Sequence, residues 1–322
     1  MIALFLVLMA AAPAARKAPP MTDLGTLERT VRTTWNFQNA AASEKAFQAM
    51  ADSLKADTAA SLLVRTQVAR AQGLQMHYDD ANATLDEVDN GFSGITGQPL
   101  LHLRARVLIE RGRILNSSGD PSKARPLFEQ SFALADSAHV AGLAVDAAHM
   151  VAIAAFNDSA HGDALTWNER ALAMAESSSD PEARRWRAPL LNNIAWTYHD
   201  MKEYEKALPL FERALVAYGE REGEGRYVRE AKWAVARCLR SLGRYKEALA
   251  AQQELEAEAE KAKEPDGYVY EEIGENLYAL GQKEEAKPWF AKAWTELTAD
   301  PYVRNNETAR LDRLKELSGT KP

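Results

Sequence analysis

Apolar positions recur along this chain in helical stripes, and a pair of small residues twelve positions apart recurs with them six times. The pairs are Ala69/Ala81, Gly112/Ala124, Ala152/Ala164, Ala195/Ala207, Ala236/Ala248 and Gly274/Ala286. Residues 191–215, LNNIAWTYHDMKEYEKALPLFERAL, show the arrangement most clearly. Ile194, Ala195 and Tyr198 form one stripe at helical spacing; Ala207, Leu208, Phe211, Ala214 and Leu215 form a second. Two such stripes bury themselves by facing each other, and small residues on either side of a turn let two antiparallel helices approach closely. Each pair therefore predicts one helical hairpin. The alanines taken to open the second helices are 43, 40, 43, 41 and 38 residues apart, room for two helices of about 16 to 18 residues and short turns. Glycine falls seven residues after the small residue at Gly119, Gly243 and Gly281, where it releases the first helix into a tight turn.

A chain of 322 residues is long enough for two ordinary domains, but sustained self-similarity predicts one elongated unit instead. Three hairpins share a fuller pattern. Residues 191–215 carry Ala195, Tyr198, Ala207, Phe211 and Ala214. Residues 267–293 carry Gly274, Leu277, Gly281, Ala286, Phe290 and Ala293. Residues 105–131 carry Gly112, Leu115, Gly119, Ala124 and Phe128, with Ser131 in place of the usual alanine. The other three are degenerate, with Gln252, Asn168 and Leu85 where an aromatic is expected. On these residues the chain resembles the tetratricopeptide repeat family over most of 62–298, in its longer-helix variants. The resemblance implies an all-α fold, a right-handed α-solenoid superhelix of helix-turn-helix repeats.

The expected organisation is a signal peptide over 1–15, a linker over 16–26, and N-terminal capping helices or an eroded seventh hairpin over 27–61. Six repeats follow at about 62–95, 105–138, 145–178, 188–221, 229–262 and 267–299, then a C-terminal capping helix and tail over 300–322. The apolar face of the N-terminal cap is assigned to Phe37, Ala46, Phe47 and Met50, and that of the C-terminal cap to Ala309, Leu311, Leu314 and Leu317. Pro126, Pro209 and Pro288 are read as first-turn residues, where a missing N–H has no intrahelical acceptor. The charged run Ala248 to Glu264, ended by Pro265, reads as a solvated helix extension.

Charge narrows the partners. A net charge of −7 and a pI near 5.6 oppose nucleic acid as the main partner, because phosphate backbones are held by concentrated Lys and Arg. The opening MIALFLVLMAAAPAARKAPP reads as an export signal, apolar from Ile2 to Met9 and cleaved after Ala14 or Ala15. No Lys or Arg precedes the apolar run, which leaves an anchor or a misassigned start as alternatives. The run is shorter than the ~20 residues of a membrane span. Cys238 is the only cysteine, so no intramolecular disulfide forms, and its apolar neighbours predict a small buried side chain.

Chemistry is sparse. The histidines show no paired spacing for a metal, Gly91, Gly94 and Gly97 lack the lysine and setting of a phosphate loop, and no nucleophile elbow occurs. The expectation is a non-enzyme with no catalytic residue, metal or cofactor. The resemblance implies that first helices line a concave face. Extrapolated inward positions are Arg70, Arg106, Arg113, Asn116, His149, Asn157, Asp200, Ser241, Tyr268 and Tyr278, together with the candidate binding residues Asn192, Trp196, His199, Trp233, Arg237, Arg240, Glu271 and Glu275. Amide, indole and guanidinium groups suit an extended peptide, in particular one with an acidic or free C-terminal end. The competing reading pairs Arg237 or Arg240 with Glu271 or Glu275 and packs the tryptophans between hairpins. The expected function is a protein- or peptide-binding scaffold or adaptor of the extracytoplasmic, periplasmic-type space, of unknown oligomeric state. The alternatives are a cytosolic peptide-sensing regulator of the long-repeat type and an envelope enzyme with an unfamiliar site.

Overall fold

The computed structural model describes residues 22–221 and 225–319, so the expected signal peptide lies outside the described residues. The chain forms two compact units divided between Ile114 and Leu115, where the repeat pattern predicts one. The first holds α1 (Leu24–Thr34), α2 (Ala40–Ser53), α3 (Thr58–Leu74), α4 (Tyr78–Asn90) and most of α5 (Gly97–Ser117). The second holds α6 (Pro121–Ser137), α7 (Ala141–Asn157), α8 (His161–Ser177), α9 (Pro181–Arg184), α10 (Arg187–Asp200) and α11 (Tyr204–Gly219). It continues with α12 (Gly225–Ser241), α13 (Tyr245–Ala262), α14 (Gly267–Ala279), α15 (Lys283–Ala299), α16 (Pro301–Asn306) and α17 (Thr308–Ser318). No strand occurs among the described residues, and none of the described helices is long and apolar enough to cross a membrane.

Within each unit, helices pack mainly on their neighbours in chain order. The small-residue pairs explain how closely. A Cβ added at Gly274 in α14 would lie 2.8 Å from the Phe290 ring of α15, so the ring occupies the space a side chain would need. The six residues four past each repeat alanine, Leu85, Phe128, Asn168, Phe211, Gln252 and Phe290, are all buried. The two polar ones differ. Asn168 Oδ1 lies 3.0 Å from His149 Nδ1, whereas neither amide atom of Gln252 has a protein partner. Leaving a buried polar group unpaired costs about 1–3 kcal/mol.

The hairpin turns are more uniform than their residues. Gly119, Gly243 and Gly281 have φ of 93°, 75° and 83°, and the equivalent Met76, Ser159 and Lys202 also sit left-handed, at 62°, 61° and 63°. In every case the next residue's N–H reaches back five positions: His77 to Gln72 (3.0 Å), Asp120 to Leu115 (2.9 Å), Ala160 to Ala155 (2.8 Å), Glu203 to Tyr198 (2.9 Å), Arg244 to Leu239 (3.0 Å) and Gln282 to Leu277 (2.9 Å). This is the closure that a left-handed residue at a helix C-terminus permits. Side chains pay a steric penalty there that glycine avoids. Met76→Gly, Ser159→Gly and Lys202→Gly are therefore each expected to gain about 0.5–1 kcal/mol, after glycine's extra chain entropy, in urea denaturation. A loss of stability in all three would contradict this account.

Several expectations need correction. Pro126, Pro209 and Pro288 are the sixth residues of α6, α11 and α15, not first-turn residues, because these helices begin three residues before the repeat alanine. Each proline removes one helical hydrogen bond, and all three lie on exposed positions of their helices. Four first helices, α3, α5, α7 and α12, begin at least four residues earlier than expected, and the short α9 sits between the third and fourth repeats without a periodic signal. Phe37 (61% exposed) and Ala46 do not join the N-terminal core; Phe47 is fully buried and Met50 half-buried. Phe37 instead stacks on Trp35, centroids 4.8 Å apart. Helix α2 packs along α3, while α1 touches both lightly and buries Leu27 and Val31. At the other end α17 packs on α15 through buried Leu311 and Leu314, with Leu317 half-buried and Ala309 exposed rather than buried.

Candidate binding face on α10, α12 and α14

Helix α12 buries Ala231, Ala234, Ala236, Cys238 and Leu239, small or slender residues that seat it between α11 and α13. Cys238 donates weakly to the Tyr204 carbonyl (3.6 Å), and burial, with Glu205 and Glu212 adding, pushes its thiol up to about 11. Trp233, Arg237 and Arg240 of the same helix remain half-buried. By contrast α14 is buried on nearly all sides, including at Glu271, Glu272 and Asn276.

Three rings cross this face in sequence. Trp196 of α10 lies 6.1 Å from Trp233, and Trp233 meets Tyr268 of α14 edge-on at 6.3 Å. Trp233 Nε1 donates to the Tyr268 carbonyl at 3.4 Å. Trp196 also packs edge-on against Phe211 at 4.9 Å, and both tryptophans lie against buried core residues. Asn192, Trp196, Trp233 and Tyr268 share the lining of a cleft of 840 Å³ that runs along the first half of α12. The tryptophans thus serve the hairpin packing and the surface together.

The guanidinium groups are anchored by a residue the sequence reading missed. Arg237 and Arg240 both bond Glu272, which is 1% exposed; Arg240 Nε lies 2.7 Å from its Oε2 and Nη2 3.0 Å from its Oε1. The Arg237 guanidinium also lies 5.6 Å from the Trp233 ring centroid. The expected partners Glu271 and Glu275 are engaged elsewhere, Glu271 by Arg310 (2.9 Å) and Glu275 by Arg313, both from α17. The structure thus brings neither of these two carboxylates to Arg237 or Arg240 by a hydrogen bond. Burial works against the Arg310 cation, yet its hydrogen bonds to Glu271 and Glu307 raise its pKa. The signal for Glu272 was available: two arginines three residues apart on one helix converge on a point, and an acid one position from the assumed stripe meets them.

His199 Nε2 lies 3.0 Å from Ser241 Oγ and its Nδ1 3.9 Å from Asp200. Burial, then the Arg237 cation, lowers its pKa below the ordinary histidine value, with Asp200 opposing. The remaining inward positions are dispersed: Asn157 bonds Asn116 (3.1 Å), His149 meets Asn168, Arg113 bonds Glu110 (2.5 Å), Arg70 lies over Trp35 and Phe37, Arg106 bonds Glu28, and Tyr278 lies against Phe290. Among the described residues no group of His, Cys, Asp and Glu is arranged to hold a metal.

Residues 143–220, spanning nearly all of α7 through α11, match the tetratricopeptide repeat family model. No curated protein matches the sequence. Among solved structures, the apo form of RapI is similar with a TM-score of 0.71 at 15% identity, covering 93% of this chain and 83% of that one. BtubC (BKLC) from P. vanneervenii gives 0.57 at 14% identity over 74% and 93%. The TPR-like repeats of a putative kinesin light chain from Podosopora anserina give 0.50 at 17% identity over 62% and 95%. At these identities the likeness is one of fold, a helix-turn-helix solenoid.

Proposed function

We propose that this tetratricopeptide-type array is a non-enzymatic scaffold or adaptor that holds an extended segment of a protein partner along α10, α12 and α14. The carrying observation is the ring series Trp196, Trp233 and Tyr268 beside a cleft that Asn192 also lines. Aromatic faces supply large contact area at low entropic cost, and an asparagine amide can meet a peptide backbone in both directions. Two arginines on one glutamate leave a single positive charge at the edge of the face, which favours an acidic or free C-terminal end. A preformed surface of this kind binds without chemistry.

The proposed compartment is extracytoplasmic, supported by the apolar run Ile2–Met9 and the small residues that follow it. A second reading is a cytosolic peptide-sensing regulator, which rests on the resemblance of the repeats to the longer-helix variants of the family. The mass of the mature protein tests the export reading: loss of residues 1–14 or 1–15 supports it, and a retained Met1 removes the cleaved signal.

The face is tested by affinity capture from the protein's own extract. Trp196→Ala and Trp233→Ala, checked by thermal melts for retained folding, are expected to lower partner recovery at least tenfold, whereas Glu212→Ala and Arg213→Ala on exposed positions of α11 leave it unchanged. Equal recovery across all four variants would remove this face from consideration.

A further inference from the structure

We propose that in the first unit the face formed by α3 and α5 is a docking site for an amphipathic helix bearing one carboxylate, and that α1 is its built-in occupant. Two of the residues that meet this segment, Arg70 and Arg106, belong to the inward stripe. Arg70 sits one residue after the small Ala69, as Arg237 does after Ala236. Arg237 lies over Trp233 at 5.6 Å; Arg70 lies over Trp35, just after α1, at 5.4 Å. The stripe that stays half-exposed in α12 is thus covered in α3 and α5 by a segment of the same chain.

The contacts are those of a recognition surface. Helix α1 presents Leu27, Glu28 and Val31 along one face, the i, i+1, i+4 spacing of a helix laid in a groove, and Trp35 follows in extended backbone just beyond its end. Leu27 and Val31 are buried, and the Glu28 side chain is nearly so at 10% exposed. Glu28 is bonded by His102 Nε2 (2.8 Å) and by Arg106 through both Nε (2.7 Å) and an Nη. Trp35 Nε1 donates to Gln67 Oε1 at 3.1 Å, and the Thr22 N–H is tied to Asp57 at 2.6 Å. Burial pushes the Glu28 carboxyl up, but Arg106 and His102 outweigh it and hold it down at about 2. The socket therefore holds Glu28 as a carboxylate, paired with Arg106 and His102. A fold core meets a helix with apolar side chains, whereas a directed carboxylate in a cationic socket selects one helix over others. An external helix with this pattern would compete with α1.

Two measurements decide. In native-state hydrogen exchange of the unmodified chain, α1 amides are expected to exchange at least 100-fold faster than those of α3; equal protection would make α1 part of the core and overturn the proposal. A synthetic peptide of residues 22–38 is then added to the full chain carrying Glu28→Lys, whose own α1 is released. It is expected to bind, and the same peptide with Glu28→Lys to bind at least tenfold more weakly. Absence of binding, or equal binding by both peptides, overturns the assignment, as does a dimer in sedimentation that exchanges α1 between copies. Should Glu28→Lys not fold, the exchange measurement on the unmodified chain decides alone.

Discussion

Replacing Arg237 and Arg240 together by methionine is expected to destabilise the second unit by about 3–5 kcal/mol, because it strands a buried carboxylate. Glu272 is 1% exposed, while Arg237 and Arg240 are 31% and 23% exposed. The asymmetry sets the outcome. Removing the arginines leaves a charge that water cannot reach, whereas Glu272→Met leaves two cations that can turn toward solvent. Each single arginine variant keeps one partner on Glu272 and is expected to cost less than half of the double. In a Glu272→Met background the arginine changes should be nearly neutral, and a double-mutant cycle in urea isolates that coupling. A loss below about 1 kcal/mol for the double variant, or an equal loss in both backgrounds, would refute the anchoring role. The same dependence explains why the tryptophans, rather than Arg237, are the clean probes of partner binding.

Phe290→Ala is expected to cost about 3–5 kcal/mol, since a fully buried ring is lost from the α14–α15 hairpin and a cavity is left behind. Gly274→Ala attacks the same contact from the other side. Its new methyl would lie 2.8 Å from two ring carbons of Phe290, and helices held by a tight local turn cannot simply separate, so about 1–3 kcal/mol of overpacking strain follows. The two effects are coupled. Phe290→Leu in the Gly274→Ala background should cost less than the sum of the single changes, because the smaller side chain vacates the space the methyl needs. Strict additivity would show that ring and glycine are not one packing unit.

The hairpins were legible in the sequence because close helix approach imposes a demand that repeats: a small residue opposite a large one, at a constant offset from a turn. Gly274 and Phe290 show the demand directly. Half of the turns were hidden, because Met76, Ser159 and Lys202 adopt the glycine conformation without being glycine; packing of the flanking helices overrides local preference. Helix starts were misplaced for a related reason. The alanine marks where helices touch, not where they begin, so Pro126, Pro209 and Pro288 fell one turn deeper than expected. Periodicity reports a face, and one residue rotates a helix by about 100°. That is why Glu271 and Glu275 were assigned to the groove while Glu272, one position away, carries both arginines. The neighbouring Trp196 and Trp233 could be placed because both are counted from a repeat alanine. Docking of α1 could not, since nothing repeats in a single covering helix.

The six left-handed turns also bear on how the chain reaches its structure. Each closes with a hydrogen bond spanning five residues, and each hairpin then packs mainly on its sequence neighbours. Loop closure over such short separations costs little entropy, and contacts of low sequence separation form quickly. Within a unit no distant strand has to be found first. Any hairpin can serve as a nucleus from which order spreads in both directions, and a lesion in one turn slows its own segment without stalling the rest.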